Sequence, residues 1–359
     1  MCLLLTAACS VASGESDGSV DTPPSVTAEV DDDTVDRRLE EERAYVDRAL
    51  SLLEDGYHRT DEVDWDQLRR AADERLDASP SRAGSYIAIS TTLARIGDAH
   101  NRLLSPDAVQ AFAGEQSGEL PTVERDGGVL TVTLPPVNVN HDTSDTYIAH
   151  AFSAIRDESD VAACGWIVDM RGFTGGSMVL PLAVLGPILA GQEAVSVENA
   201  DGTVATAVGF DADGSLRWNG LPAADAFADG AEHDVLLPDL DERNLQALAD
   251  VGPLPAPAAD IPVAVLTSSR TASAGEAVVV ALEGRPMTRR FGVATYGVPT
   301  GPVSYELEDG AVLRVAERRM VDRNGNAYSS SIPPDVETGE PQTDARTWLE
   351  TEQNCTTRP

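Results

Sequence analysis

Residues 261–284 read IPVAVLTSSRTASAGEAVVVALEG: a short apolar run, a turn of small residues, and an apolar stretch that Gly284 ends. The run over 261–266 predicts a buried strand, and the Ala/Val stretch predicts a buried helix. The chain uses the same arrangement once more. GWIVDM over 165–170 predicts a strand, RGFTGGS a turn, and VLPLAVLGPILAG a second apolar helix. Units of this kind can be buried only in a sheet covered by helices, with polar side chains gathered at the carboxyl ends of the strands.

Around these units the patterns change character. Over 35–104, Val35, Leu39, Val46, Leu50 and Leu53 recur at helical spacing ahead of Gly56. Asp64 with Gln67 predicts a capping box opening a second helix that Pro80 closes, and a third is expected from 82 to 96 with Gly97 beyond its end. The stretch after residue 117 predicts a Gly127-Gly128 hairpin feeding the alternating strand VLTVTL. A helix at YIAHAFSAI, a strand near Phe291, and hairpins at Asp309-Gly310 and Asn324-Gly325 follow. The expected organisation is an α+β chain. A tether occupies 1–34, a small N-terminal helical domain 35–116, a β/α core 117–345, and a frayed acidic tail 346–359. Within the core, 195–258 is polar and turn-rich, an excursion or lid whose shape cannot be read.

Charge excludes several classes of partner. The formal charge is −34, and all 26 basic residues are arginine, so the chain has no lysine. Such an excess of acid argues against nucleic acid and anionic membrane surfaces, and suits a secreted or salt-tolerant protein. The four cysteines, Cys2, Cys9, Cys164 and Cys355, include no pair at metal-ligand spacing, so neither a zinc site nor a cofactor is expected. MCLLLTAACS resembles the end of a lipoprotein signal peptide, with Cys9 as the lipid-bearing residue. It lacks a basic n-region, so an uncleaved cytoplasmic start is the competing reading. The Ser/Gly/Asp/Pro-rich segment 10–34 suits a tether behind such an anchor. The chain is then expected outside the cytoplasm, at the cell surface or secreted, and touching a membrane only through Cys9. In that setting Cys164 and Cys355 could pair.

Ser273 falls where the turn at 268–272 becomes a helix. The positive helix end favours negative charge beside it, which suits a nucleophile, but serine is also an ordinary N-cap. TASAGE is half of a nucleophile elbow, with Thr271 where the first glycine would stand. The Gly175-Gly176 turn and the amide of Ala274 could converge on an oxyanion. Of the five histidines, His58, His100, His141, His150 and His233, only His100 lies in a turn at a domain boundary. It reads equally as a general base or as a structural helix-end histidine. Asp169 and Arg171 read as an ion pair at a strand end.

Three blocks in order carry a resemblance: VDW with IGDAHN, GWIVDMRGFTGG, and TSSRTASAGEAVVVALEGR with the closing hairpins and IPPD. Over roughly 35–340 the chain resembles the C-terminal-processing (tail-specific) serine peptidases, in the branch that includes the tricorn protease core. The resemblance implies a ClpP/crotonase-like core and a serine endopeptidase acting on peptide or protein substrates. Ser273 would be the nucleophile, and Gly175 or Gly176 with Ala274 the oxyanion hole. Many relatives use a serine–lysine dyad whose lysine would fall near Val298. The absence of lysine turns the expectation to the serine–histidine alternative, with His100 as base. Ala99 and Tyr328 stand where histidine-branch relatives carry orienting groups, so the third member is open among Asp98, Glu276 and Tyr328. A PDZ domain between His100 and Val129 is not expected. The alternative is a catalytically weak or inactive relative that binds peptides or small apolar ligands.

Overall fold

The computed structural model describes residues 32–114, 119–137, 141–158, 163–222, 225 and 261–355. Three helices come first: α1 (Asp32–Gly56), α2 (Trp65–Ala78) and α3 (Arg82–Ile96). Their limits follow local chemistry. The Asp64 carboxylate accepts the N–H of Gln67, Ser81 accepts that of Gly84, and Gly97 ends α3 at φ +78°. There follow β1 (Arg102–Leu104), α4 (Pro106–Gly114), β2 (Thr122–Asp126), β3 (Val129–Thr133), α5 (His141–Asp157) and β4 (Gly165–Asp169). The long apolar helix expected after β4 is divided into α6 (Val179–Val184) and α7 (Gly186–Leu189). Pro187 cannot supply the N–H that would continue α6.

The stretch that could not be read begins with β5 (Glu193–Asn199), β6 (Val204–Phe210), β7 (Leu216–Trp218) and β8 (Leu221–Pro222). Its remainder, with His233, lies outside the described residues apart from Asp225. The chain then runs through β9 (Val263–Thr267), α8 (Ala274–Leu282), β10 (Thr288–Gly292), β11 (Thr300–Glu306), β12 (Val312–Asp322), β13 (Ala327–Tyr328), β14 (Val336–Glu337) and α9 (Pro341–Thr351).

Two sheets result. One has the order β14-β10-β9-β4-β3-β2, parallel from β14 to β3 with β2 as an antiparallel edge. The other is antiparallel and runs β1-β12-β5-β6-β7-β8, with β11 and β13 also on β12. The main core lies between them, where α8, α6 and α7 pack: Val278, Val280, Leu180 and Ile188 are essentially inaccessible.

Two boundaries differ from the expectation. The N-terminal helices do not close a core of their own. Leu50, Leu53, Leu76 and Ile89 pack with Leu313, Val315 and Ala316 of β12, so a late strand supplies one wall. Nor does the chain fray from 346. Ala345, Trp348 and Leu349 share one face of α9 and are buried against Ile167, Leu266 and Phe291 of the parallel sheet. The acidic residues that suggested a solvated tail occupy the opposite, wet face of an amphipathic helix.

Cys355, just past α9, is bonded to Cys164 beside the start of β4, with Cα atoms 5.2 Å apart across 191 residues of sequence. Closing so long a loop in the unfolded chain contributes about 4–5 kcal/mol in the chain-entropy view. Cys355→Ser is therefore expected to lower the thermal midpoint by roughly 10 °C, and a shift below about 2 °C would show that the cross-link contributes nothing.

Candidate active site

The turn between β9 and α8 is fastened to the turn after β4 by three short bonds. The Thr271 hydroxyl donates to the Met170 carbonyl (2.9 Å), Ser268 Oγ to the Arg171 carbonyl (2.7 Å), and the Ala272 N–H to the Phe173 carbonyl (3.0 Å). Thr271, at the position of the first glycine of a nucleophile elbow, is fully buried and does this tying with its side chain. Phe173 is also fully buried, and a Cβ on Gly275 would come within 2.7 Å of its carbonyl oxygen. Glycine is needed there because the two turns touch.

Ser273 is held at φ +54°, ψ −117°, a backbone conformation that side chains disfavour. Glu276 holds it there. This carboxylate is fully buried and accepts four hydrogen bonds: from the Ser273 N–H (2.9 Å), the Thr295 hydroxyl (2.6 Å), and the N–H groups of Gly297 and Val298 (2.9 Å each). Burial pushes its pKa up and the four donors pull it back. One side chain thus fixes both the strained serine and the loop at 295–298, where the lysine of a dyad would lie. That position is the buried Val298.

Facing the serine is the glycine turn. Gly175 and Gly176 adopt φ +135° and +109°, which L side chains rarely reach. A Cβ at Gly175 would sit 3.4 Å from Ser273 Cβ and 3.8 Å from its Oγ. Gly176 is anchored by a bridge to Val137, whose carbonyl accepts the Ser177 N–H at 2.8 Å. Ala274 is the first residue of α8, so its N–H has no partner within the helix. The fold therefore brings Ser273, Gly175, Gly176 and Ala274 together.

The turn bearing His100 is docked on β12. β1 pairs with β12, Asn101 Oδ1 accepts the Ala316 N–H at 2.7 Å, and the His58 N–H donates to the Ala316 carbonyl at 3.0 Å. The His100 ring bonds through Nδ1 to Thr300 Oγ1 at 2.5 Å. Thr300 and Ser273 line the same cleft, of about 130 Å³, with Gly176, Ala274, Arg314 and Arg318. Burial lowers the His100 pKa to about 4. Arg314, Arg102 and His58 push the same way, and Asp98 opposes them.

The three residues considered as a third member have other partners. Glu276 is saturated as described, and the Tyr328 hydroxyl donates to Asp322 Oδ2 at 3.0 Å. Asp98 accepts the backbone N–H of His100 (3.0 Å) and lies 3.5 Å from His58 Nε2. The group on the ring is Thr300, which sequence reasoning missed. A threonine at a strand start carries no signal, and its partner is 200 residues away. Asp169 and Arg171 form the expected ion pair, at 2.6 Å. His150, on α5, is exposed, and Cys2 and Cys9 lie outside the described residues.

The model of peptidase family S41 matches residues 129–338, more than half of the chain, and spans Ser273, the glycine turn and Thr300. The chain belongs to peptidase family S41. His100, on the turn that β12 docks, lies before the residues that the S41 model matches. No curated protein sequence matches it. Among solved structures it is similar to a lipoprotein from Streptococcus agalactiae, at 21% identity and TM-score 0.65, covering 86% of this chain and 96% of that one. It is also similar to a photosystem II D1 C-terminal processing protease, at 14% identity and TM-score 0.51, covering 83% and 93%. At these identities the likeness is one of fold. It extends beyond the matched family region over most of the chain, the mixed α+β architecture with its N-terminal helices included.

Proposed function

We propose that the chain is a serine endopeptidase of the serine–histidine kind, as in the tricorn-like branch. One observation carries this reading: a strained serine at a helix start shares a cleft with a positive-φ glycine turn and with Thr300, whose hydroxyl is bonded to the His100 ring. With its proton on Nδ1, His100 donates to Thr300 and keeps a lone pair on Nε2. Ser273 Oγ attacks the peptide carbonyl as His100 takes its proton. The oxyanion meets the amides of Ala274 and the glycine turn at the positive end of α8. The imidazolium then protonates the leaving amine, and water repeats the sequence on the acyl-enzyme.

The test is a fluorophosphonate probe, which is expected to label the full chain and not Ser273→Ala. Absence of labelling with peptide binding retained would select the binding-only alternative. Because the His100 pKa is lowered to about 4, the base is neutral well below pH 7. The kcat/KM profile is therefore expected to hold its neutral value on acidification and to fall only around pH 4. An acid limb near 6.5, the ordinary histidine value, would contradict this assignment.

We place the protein outside the cytoplasm, anchored through Cys9. The opening MCLLLTAACS, the polar segment behind it, the Cys164–Cys355 bond and the fold shared with a lipoprotein support this. No helix among the described residues is long and apolar enough to cross a membrane. Incorporation of labelled palmitate by the wild-type chain but not by Cys9→Ser is the expected result, and equal labelling of both would remove the anchor.

A further inference from the structure

The chain carries 60 acidic and 26 basic residues, yet among the described residues the cleft at Ser273 is lined by Arg314 and Arg318 and by no carboxylate. The two arginines are not equivalent. Arg318 Nε donates to Asn199 Oδ1 at 3.2 Å. The Arg314 side chain has no hydrogen bond or ion pair among the described residues, and its Nε is buried without a partner. Other arginines with a buried unbonded nitrogen are compensated elsewhere on the side chain: Arg319 by Glu198, Arg323 by the Ala281 carbonyl, Arg82 by Glu42 and Asp309.

Position adds to the cost. Across the β1–β12 ladder the residue opposite Arg314 is Arg102, and across β11–β12 it is Ser304, so neither strand neighbour brings negative charge. Desolvation, and then Arg102, lower the Arg314 pKa from its usual value. A partly buried guanidinium with no counter-charge is expensive to retain, and a carboxylate received in a bidentate grip would remove that expense. On the same face of β12, Arg318 and Met320 continue the lining of the cleft.

We propose that Arg314 binds a carboxylate of the substrate, so that the cleft takes peptides bearing a carboxylate close to the bond presented to Ser273. This rests on the peptidase reading for the identity of the ligand as a peptide. The carboxylate has two possible sources: the free C-terminus of the substrate, with cleavage close to its end, or an Asp or Glu side chain.

The experiment uses the full chain carrying Ser273→Ala, so that binding is measured without turnover, by fluorescence anisotropy with three labelled peptides. One has neutral side chains and a free C-terminus, the second is the same peptide amidated, and the third is amidated with one glutamate. At least one carboxylate peptide is expected to bind about 10- to 100-fold more tightly than the neutral amide. Preference for the first identifies a C-terminal carboxylate, and preference for the third a side chain. Adding Arg314→Gln is expected to bring the ratio to within about threefold of unity. If that variant does not fold, as judged by circular dichroism, Arg314→Lys is expected to reduce the ratio at least about threefold through loss of the planar fork. Equal binding of the three peptides, no binding of any, or a preference unchanged by the folded Arg314 variant would overturn the proposal. Hydrolysis by the unmodified chain tests the peptidase reading separately, since these binding measurements do not depend on turnover.

Discussion

His100→Ala is expected to lower kcat by roughly 10⁴- to 10⁶-fold, and the double variant Ser273→Ala/His100→Ala by no more than the worse of the two single variants. The expectation follows from how the pair would work. The serine is a weak nucleophile until its proton has somewhere to go, so removing either member removes the same step. The residual rate would come from the glycine turn, the Ala274 amide and substrate binding, which neither change touches. The measurement is single-turnover hydrolysis of a peptide by all four proteins. Losses that multiply in the double variant, or a loss below about tenfold in His100→Ala, would show that His100 is not the base. Thr300→Val belongs in the same series. It leaves the imidazole in place and removes the hydroxyl that holds the ring at 2.5 Å. A loss between that of His100→Ala and none is expected.

Glu276→Ala is expected to destabilise the fold by about 3–5 kcal/mol, among the larger effects of a single substitution. Four donors would be left facing a void in which no water is guaranteed: three backbone N–H groups and the Thr295 hydroxyl. The same change releases the N–H of Ser273, whose φ of +54° is maintained by its surroundings. Reactivity toward a fluorophosphonate should therefore fall even in the fraction that remains folded. Glu276→Gln separates the two effects. It keeps the shape but turns an NH2 toward donors, so it should cost stability while filling the space. Urea unfolding measures the first effect and the rate of labelling the second. A cost under about 1 kcal/mol for Glu276→Ala would mean that water replaces the carboxylate and that the serine is held by other groups.

Both substitutions mark the boundary between what local sequence encodes and what only the fold assembles. Ser273 at a helix start, the glycine turn and the hairpins at Gly127-Gly128, Asp309-Gly310 and Asn324-Gly325 were legible, because each is a short-range device with its own residue chemistry. The role of Glu276 was not legible, since only one of its four donors, the Ser273 N–H, is local and the other three lie at 295–298 and arrive through β10. Thr300 was invisible for the same reason, as was the burial of α9, whose charged face dominated its composition. The shape of 195–222 could not be read because β6, β7 and β8 build in turn on β5, and β5 is itself placed by pairing with β12, more than a hundred residues further on. Arginine on β12 reads as surface until the strand is seen to form a wall of the cleft.

β12 touches almost everything that matters here. It closes the core under the N-terminal helices, docks the turn bearing His100, pairs with β11 behind Thr300, and carries Arg314. Synthesis order therefore separates the parts of the site in time. A nascent chain that has grown past residue 290 already contains Ser273, the glycine turn and His100, but not the strand that would bring His100 to the cleft. Until residues 312–322 have emerged and paired, the growing chain lacks the strand that would assemble the site, so a hydrolase built this way would be held inactive while the preceding strands are made.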